Sequence, residues 1–252
     1  MHTKTTSIQV IDRLSQILDV IASYDEPVSL KILSAETGLH PSTAFRILAS
    51  LGEHGYVERD EAGYYRLGIR LLQLGGRVRV SVDLRHTARP IMEELRDQIG
   101  ETVNLTVREG DEVVYVERAT SSRMMRVEQV VGSRAPLHVT AVGKLMLGDT
   151  GEEECLRYAN RTKLPAYTRN TITDPKKLIK ECSSVLASGY ALDNEEAEAG
   201  VGCIGTLVHD ANGLVVAGLS ISAPIERRKE DWIPLVIEAG KRISERLGHF
   251  EK

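Results

Sequence analysis

The interval Gly38-Leu39-His40-Pro41 constrains this chain more than any other feature. Before it, Ser29 can cap a short helix through Thr37 in which Leu30, Leu33 and Ala35 are apolar. A glycine after such a helix takes the left-handed conformation that closes it. A proline three residues later suits the first turn of a new helix, where its missing N–H costs nothing. Two helices must therefore meet across a turn of a few residues, so their axes cross. Upstream, Ile8, Ile11, Leu14, Leu18 and Ile21 recur at three- and four-residue steps, predicting a first helix capped by Ser7 and ended by Asp25-Glu26-Pro27. Downstream, Gly55 ends the third helix. Two short β-prone runs, Tyr56–Arg59 and Tyr64–Leu67, then flank a turn signal from Asp60 to Gly63. Three helices followed by a two-stranded wing predict a winged helix-turn-helix domain over residues 1–68.

Residues 41–54 set on a helix at about 100° per residue divide into two faces. Ala44, Ile47, Leu48 and Leu51 face inward, and Ser42, Arg46, Ala49, Ser50 and Glu53 face outward, with Thr43 and Phe45 at the edges. Small outward residues allow close approach to a surface, hydroxyls reach phosphate or base edges, and an arginine can bridge guanine. Such a face suits the DNA major groove, although any amphipathic surface helix also has a polar side. Arg59 and Arg66 on the wing add cationic groups. Charge opposes this reading: residues 1–68 hold six Lys or Arg against nine Asp or Glu, within a formal net charge of −4 for the chain. That balance excludes non-specific coating of nucleic acid or anionic membrane. The segment 69–89 compensates locally, with Arg70, Arg77, Arg79, Arg85 and Arg89 against Asp83 alone. Its first part, residues 69–82, is predicted to be a linker helix.

Residues 83–252 alternate helices and strands. Asp83 can cap a helix to Gly100, which Pro90 should kink or truly begin. Val103, Leu105 and Val107, a Gly-Asp turn, and Val113–Val116 read as a hairpin, and Met124–Val130 as a further strand. Helices follow at TAVGKLMLGD, EEECLRYAN and 174–188. Paired strands surround Asp210-Ala211-Asn212-Gly213, and a helix from about Lys229 to Leu247 closes the chain. The expectation is an α+β fold whose second domain holds one central sheet.

Several functions are disfavoured. Cys155, Cys182 and Cys203 are odd in number and widely spaced, fitting neither a disulfide framework nor a zinc site. Cys203 and His209 lie about 20 Å apart along one predicted strand, too far for a nucleophile–base pair. The histidines show no HxH or HExxH spacing. His138 could face a pocket or end a strand. No enzyme, metal or cofactor is expected. No apolar run approaches the roughly 18 residues of a membrane span, and the charged N-terminus is unlike a signal peptide, so a cytoplasmic location is expected.

GLHPSTAFRILASLGEHGYVER and YRLGIRLLQLG together resemble the winged-helix domain of IclR-type bacterial transcriptional regulators. DNEEAEAGVGCIGTLVHD resembles that family's second signature through Asp193, Glu196, Cys203-Ile204-Gly205 and His209-Asp210; Tyr190 departs from its strictest form, where a small residue follows glycine. Residues 132–147 and 166–174 also match, so the resemblance spans nearly the whole chain. It implies a repressor of a catabolic operon that binds a palindromic operator as a dimer or tetramer. It also implies a GAF-like effector-binding and oligomerisation domain over 83–252, built on a central antiparallel sheet, that takes a small organic acid. By position, Ser42, Thr43 and Arg46 would read DNA, with His40 and Ser50 nearby. The effector pocket would fall on Met124, Val127, Ala141, Val142, Gly143, Asp193, Cys203, Ser220 and Ser222. Backbone N–H groups at the start of the helix opening at Ala141 would attract a carboxylate. An alternative is a winged-helix protein-interaction module, or a small-molecule sensor without direct DNA readout.

Overall fold

The structure is a computed structural model describing residues 8–78 and 83–250, with side chains from 75 to 78 left aside. The Ser7 cap and the end of the linker helix lie outside the described residues. The chain divides near residues 81 and 82 into two compact units.

In the first unit, α1 (Gln9–Ala22), α2 (Leu30–Thr37) and α3 (Pro41–Glu53) precede the wing strands β1 (Val57–Arg59) and β2 (Tyr65–Leu67). Ser29 Oγ caps α2 by accepting from Ile32 N–H at 3.4 Å, and Gly38 closes it at φ +67°. The core joins Ile17 and Ile21 of α1, Leu33 of α2, and Ala44, Leu48 and Leu51 of α3 to Val57 and Tyr65 of the wing. Val28 exchanges two 2.8 Å backbone hydrogen bonds with Tyr65, so the turn after α1 joins the wing as a third extended segment. α4 (Ile69–Val78) begins against the end of α3: Gly68 N–H donates to Tyr56 O at 2.8 Å, and Arg70 N–H to Gly55 O at 3.3 Å.

The second unit is built on a six-stranded, wholly antiparallel sheet. Its strands are β3 (Thr102–Glu109), β4 (Glu112–Ala119), β5 (Arg134–Pro136), β6 (Ala191–Asn194), β7 (Val201–His209) and β8 (Val215–Pro224), in the order β5-β4-β3-β8-β7-β6. One face is apolar. Val103, Leu105, Ile204, Leu219 and Ile221 pack under α5 (Leu84–Ile99) and α9 (Ile233–Arg246). The other face carries α6 (Ala141–Asp149), backed by α7 (Glu152–Thr162) and α8 (Pro175–Ser188). Asp83 caps α5 through Arg85 N–H at 2.9 Å, so the helix starts at Leu84 and runs through Pro90. The last predicted helix is divided, with a 3-10 turn at Glu230–Trp232 before α9.

Met124–Val130 is not a strand. The free edge of β4 pairs instead with Arg134–Pro136, three residues whose apolar content gives little periodic signal. Residues 124–130 form a loop held by side chains: Arg118 donates to Gln129 O, and Arg227 Nη2 to Met125 O at 2.9 Å. His138 is neither a strand end nor a pocket group. It is fully buried in a 3-10 turn, with Nδ1 2.8 Å from Tyr158 Oη and Nε2 3.1 Å from Pro165 O. Burial pushes its pKa down.

Candidate functional site

On α3 the inward face closes on the core, while Ser42, Arg46, Ala49, Ser50 and Glu53 are exposed. His40 takes the N-cap position, its Nδ1 2.8 Å from Ser42 Oγ, which fixes both side chains at the helix start. Phe45, at the edge of the sequence wheel, is 45% exposed, so the outer face carries an aromatic ring beside Ser42 and Ala49. Thr43, Arg46 and Ser50 turn toward α1, where with Arg13 and His54 they line a cleft of about 520 Å³. The wing arginines are engaged locally. Arg66 makes Nε and Nη2 bonds of 2.9 and 2.7 Å to Glu58 Oε2 across the hairpin. The Arg59 guanidinium lies 5.5 Å from the Tyr65 ring centroid. Among the described residues Arg46 has no ion pair, which leaves it the freest cation on the predicted face.

The second candidate site follows from strand register. Asp193, Cys203, Ser222 and Thr102 are direct partners across four adjacent strands, and Gly205, Ser220 and Asn104 form the next row. Residues opposed or two apart share a face, so all of these line the α6 side. Polar groups on that face are buried: Asp193 at 2% exposure, Ser222 at 1% and Asn104 at 0%. A hydrogen-bonded chain crosses it. Asn104 Nδ2 donates to Gln129 Oε1 and Ser222 Oγ, each at 3.1 Å; Ser222 Oγ lies 3.3 Å from Cys203 Sγ; Asp193 Oδ1 accepts from Glu196 N–H at 2.7 Å.

α6 reaches this face because two strand positions lack side chains. A Cβ on Gly205 would stand 2.8 Å from Val142 Cγ1, and one on Gly218 would stand 2.6 Å from Val142 Cβ. The first turn of α6 is thereby lowered beside Ser220 and Cys203. Ala141, Val142 and Gly143 are buried there. The Gly143 N–H is taken by Thr140 Oγ1 at 3.1 Å, which leaves Ala141 and Val142 to offer backbone donors. Val127 is half-buried in the loop, whereas Met124 is 99% exposed and stands apart from the cluster.

Burial raises the Asp193 pKa to about 6, and the nearby Glu196 carboxylate adds to the rise. Enclosure and the Asp193 charge push the Cys203 thiol well up, so it stays protonated. The face also contains groups that sequence reasoning missed. Lys144 on α6 is fully buried, its Nζ 2.6 Å from Glu196 Oε1 and 3.3 Å from Glu181 Oε1. A lone lysine within AVGKLML was the available signal. Asn104 gave only the polar alternation of Thr102, Asn104 and Thr106, which ordinarily marks a solvent-facing side. Among the described residues no group of His, Cys, Asp or Glu is arranged to hold a metal ion, and no helix is long and apolar enough to cross a membrane.

Two family profiles match the chain: the IclR helix-turn-helix domain over residues 10–61, and the bacterial transcriptional regulator IclR C-terminal domain over residues 77–248. The HTH-type transcriptional regulator KipR of Bacillus subtilis is 33% identical over 226 residues, covering 88% of this chain and 90% of KipR. The crystal structure of the Agobacterium tumefaciens repressor BlcR superposes with a TM-score of 0.79 at 27% identity, covering 98% of this chain and all of that one. An IclR homologue from Microbacterium hydrocarbonoxydans, complexed with 4-hydroxybenzoate, superposes with a TM-score of 0.62 at 26% identity, covering 94% and 98%. These are families of regulators, not of enzymes. With both halves matched in order, the chain belongs to the IclR family of DNA-binding bacterial transcriptional regulators.

Proposed function

We propose that this chain is a cytoplasmic repressor of a catabolic operon, released from or tightened on its operator by a small organic acid. Residues 1–68 form the DNA-binding domain, 69–82 the linker, and 83–252 the effector-binding and oligomerisation domain. Ser42, Thr43 and Arg46 read base edges, His40 and Ser50 support them, and Arg59 and Arg66 approach the backbone from the wing. A dimer, paired into a tetramer, places two such helices on a palindromic operator. The exposed apolar side chains Val10 and Ile11 on α1 and Ile69 and Leu72 on α4 support self-association.

The observation that carries the effector reading is the buried polar sheet face, where Asp193, Ser220, Ser222 and Cys203 meet the start of α6. A buried surface this polar costs free energy unless its groups are bonded. The acid seats its carboxylate at the Ala141 and Val142 N–H groups, as anions do at helix starts. Val127 closes the site from the loop, and an inward swing of that loop would bring Met124 onto the ligand. Acid binding then alters the linker and the spacing of the paired winged helices. The test is a gel shift with DNA upstream of the adjacent operon, with and without saturating candidate acids. A shift that an acid strengthens or abolishes is expected. Unchanged operator affinity for every acid sinks the switch. No shift at low salt from an intact tetramer would favour the protein-interaction alternative.

A further inference from the structure

The site face holds a polar atom that no protein group satisfies and that the carboxylate reading does not use. Asn104 is fully buried, and its amide nitrogen is spent on Gln129 and Ser222. Its Oδ1 is buried without a donor, and so is Glu196 Oε2. An unpaired buried acceptor is destabilising, and buried polar atoms are bonded in nearly all folded proteins. Asp193, on the same face, adds a carboxylate whose Oδ1 accepts from the Glu196 N–H. None of the polar side chains nearby donates to Asn104 Oδ1. Thr106 Oγ1 already donates to Gly218 O at 3.3 Å, and Arg228 is turned onto Asp193 O and Asn194 Oδ1 at 2.8 and 2.6 Å. Asn104 Oδ1 thus stays an open acceptor, although the face also carries the Tyr115, Ser220 and Ser222 hydroxyls and the buried Lys144.

A simple carboxylate brings only acceptors. It would satisfy the helix start and leave Asn104 Oδ1 unpaired. A hydroxyl on the same molecule is both donor and acceptor. Asn104 pairs in register with Ser220, and Ser220 with Gly205, the strand position on which Val142 of α6 rests. A hydroxyl-bearing acid held by α6 thus lies over the strands that carry Asn104. We infer, building on the effector reading above, that the ligand of this site is a hydroxy acid and that Asn104 selects it, accepting a hydrogen bond from a ligand hydroxyl through Oδ1. Asn104 is a specificity-determining residue of the pocket, and Asp193 is the second acceptor for a polyhydroxylated ligand.

The experiment is calorimetric titration of the full-length protein with three matched pairs: gluconate and hexanoate, lactate and propanoate, 4-hydroxybenzoate and benzoate. In at least one pair the hydroxylated member should bind at least about tenfold more tightly. Asn104→Leu should bring that ratio close to one, and the ratio between the two members is the readout whatever the variant does to either affinity alone. Asn104→Asp, which keeps an acceptor there, should retain the preference, and operator binding without acid serves as the check that each variant is folded. Equal or tighter binding of the hydroxyl-free member in every pair, no binding in any pair, or a preference that survives Asn104→Leu would overturn the inference. A hydroxy acid that binds yet leaves operator affinity unchanged defeats the switch and leaves this inference standing. A hydroxyl-free acid that binds and moves operator affinity does the reverse.

Discussion

Arg46 and Asp193 represent two ways in which a single side chain can matter here. Arg46 is exposed on α3 and has no ion pair among the described residues, so its charge is available to a partner. Arg46→Ala should cost about 1–3 kcal/mol on the operator if the guanidinium contacts a base. Fluorescence anisotropy on operator and random DNA separates the roles, since equal losses on both would mark a phosphate contact. Asp193 is the opposite case, a carboxyl whose environment disfavours its charge. Its pKa is raised from 3.8 to about 6 in the fold, so protonation is favoured by folding. The resulting penalty is nearly absent below about pH 4, grows between about pH 4 and 6, and is constant above that. Asp193→Asn keeps an acceptor for the Glu196 N–H and removes the charge. It should stabilise the protein by up to about 3 kcal/mol at pH 8 and negligibly at pH 4, read from urea midpoints. A variant no more stable than the parent at pH 8 would show that the buried carboxylate is better solvated than its burial implies. Both residues were legible in the sequence, Arg46 from helix periodicity and Asp193 from the signature. Asn104 was not, because alternation of polar and apolar residues reports two faces of a strand without saying which is covered.

At the scale of elements, the placement of α6 depends on strand positions without side chains. Gly218→Ala would put a Cβ 2.6 Å from Val142 Cβ, so the helix start must shift or the strand must bend. A loss of about 1–3 kcal/mol is expected, as for overpacking elsewhere, with a lower urea midpoint and an unchanged slope. Retained stability would mean that α6 moves freely over the sheet. The elements themselves were largely readable. Ser29, Gly38 and Pro41 bound the helices of the first unit, and the Gly110 and Gly213 turns bound the hairpins of the second. Local chemistry decides such boundaries, because caps and turns are satisfied within a few residues. Met124–Val130 failed as a strand for the converse reason. A strand needs a neighbour's backbone, and residues 124–130 reach the sheet through the Arg118 and Asn104 side chains instead, while Arg134–Pro136 pairs with β4 over Glu112–Val114. Ala191–Asn194, four residues holding the site carboxylate, became a strand only by pairing with β7.

For the whole molecule, the proposed switch requires coupling between the two units. If the acid changes operator affinity by some factor, operator DNA must change acid affinity by the same factor. Titrating the acid into free and operator-bound protein checks this, and unequal factors would mean that the two ligands do not address one conformational equilibrium. The sequence by itself determined the order of domains, the helix-turn-helix and its outward face, and the resemblance that set the family. These reside in periodicity, caps and motifs, which act over a few residues. Only the tertiary structure decided what covers the second face of the sheet. It tied the wing arginine Arg66 to Glu58, set Met124 outward, and gathered Asp193, Cys203, Ser222 and Asn104 from four strands beneath α6. Whether a polar side chain meets water, a partner or a ligand depends on packing between residues distant in the chain, and no local pattern encodes that.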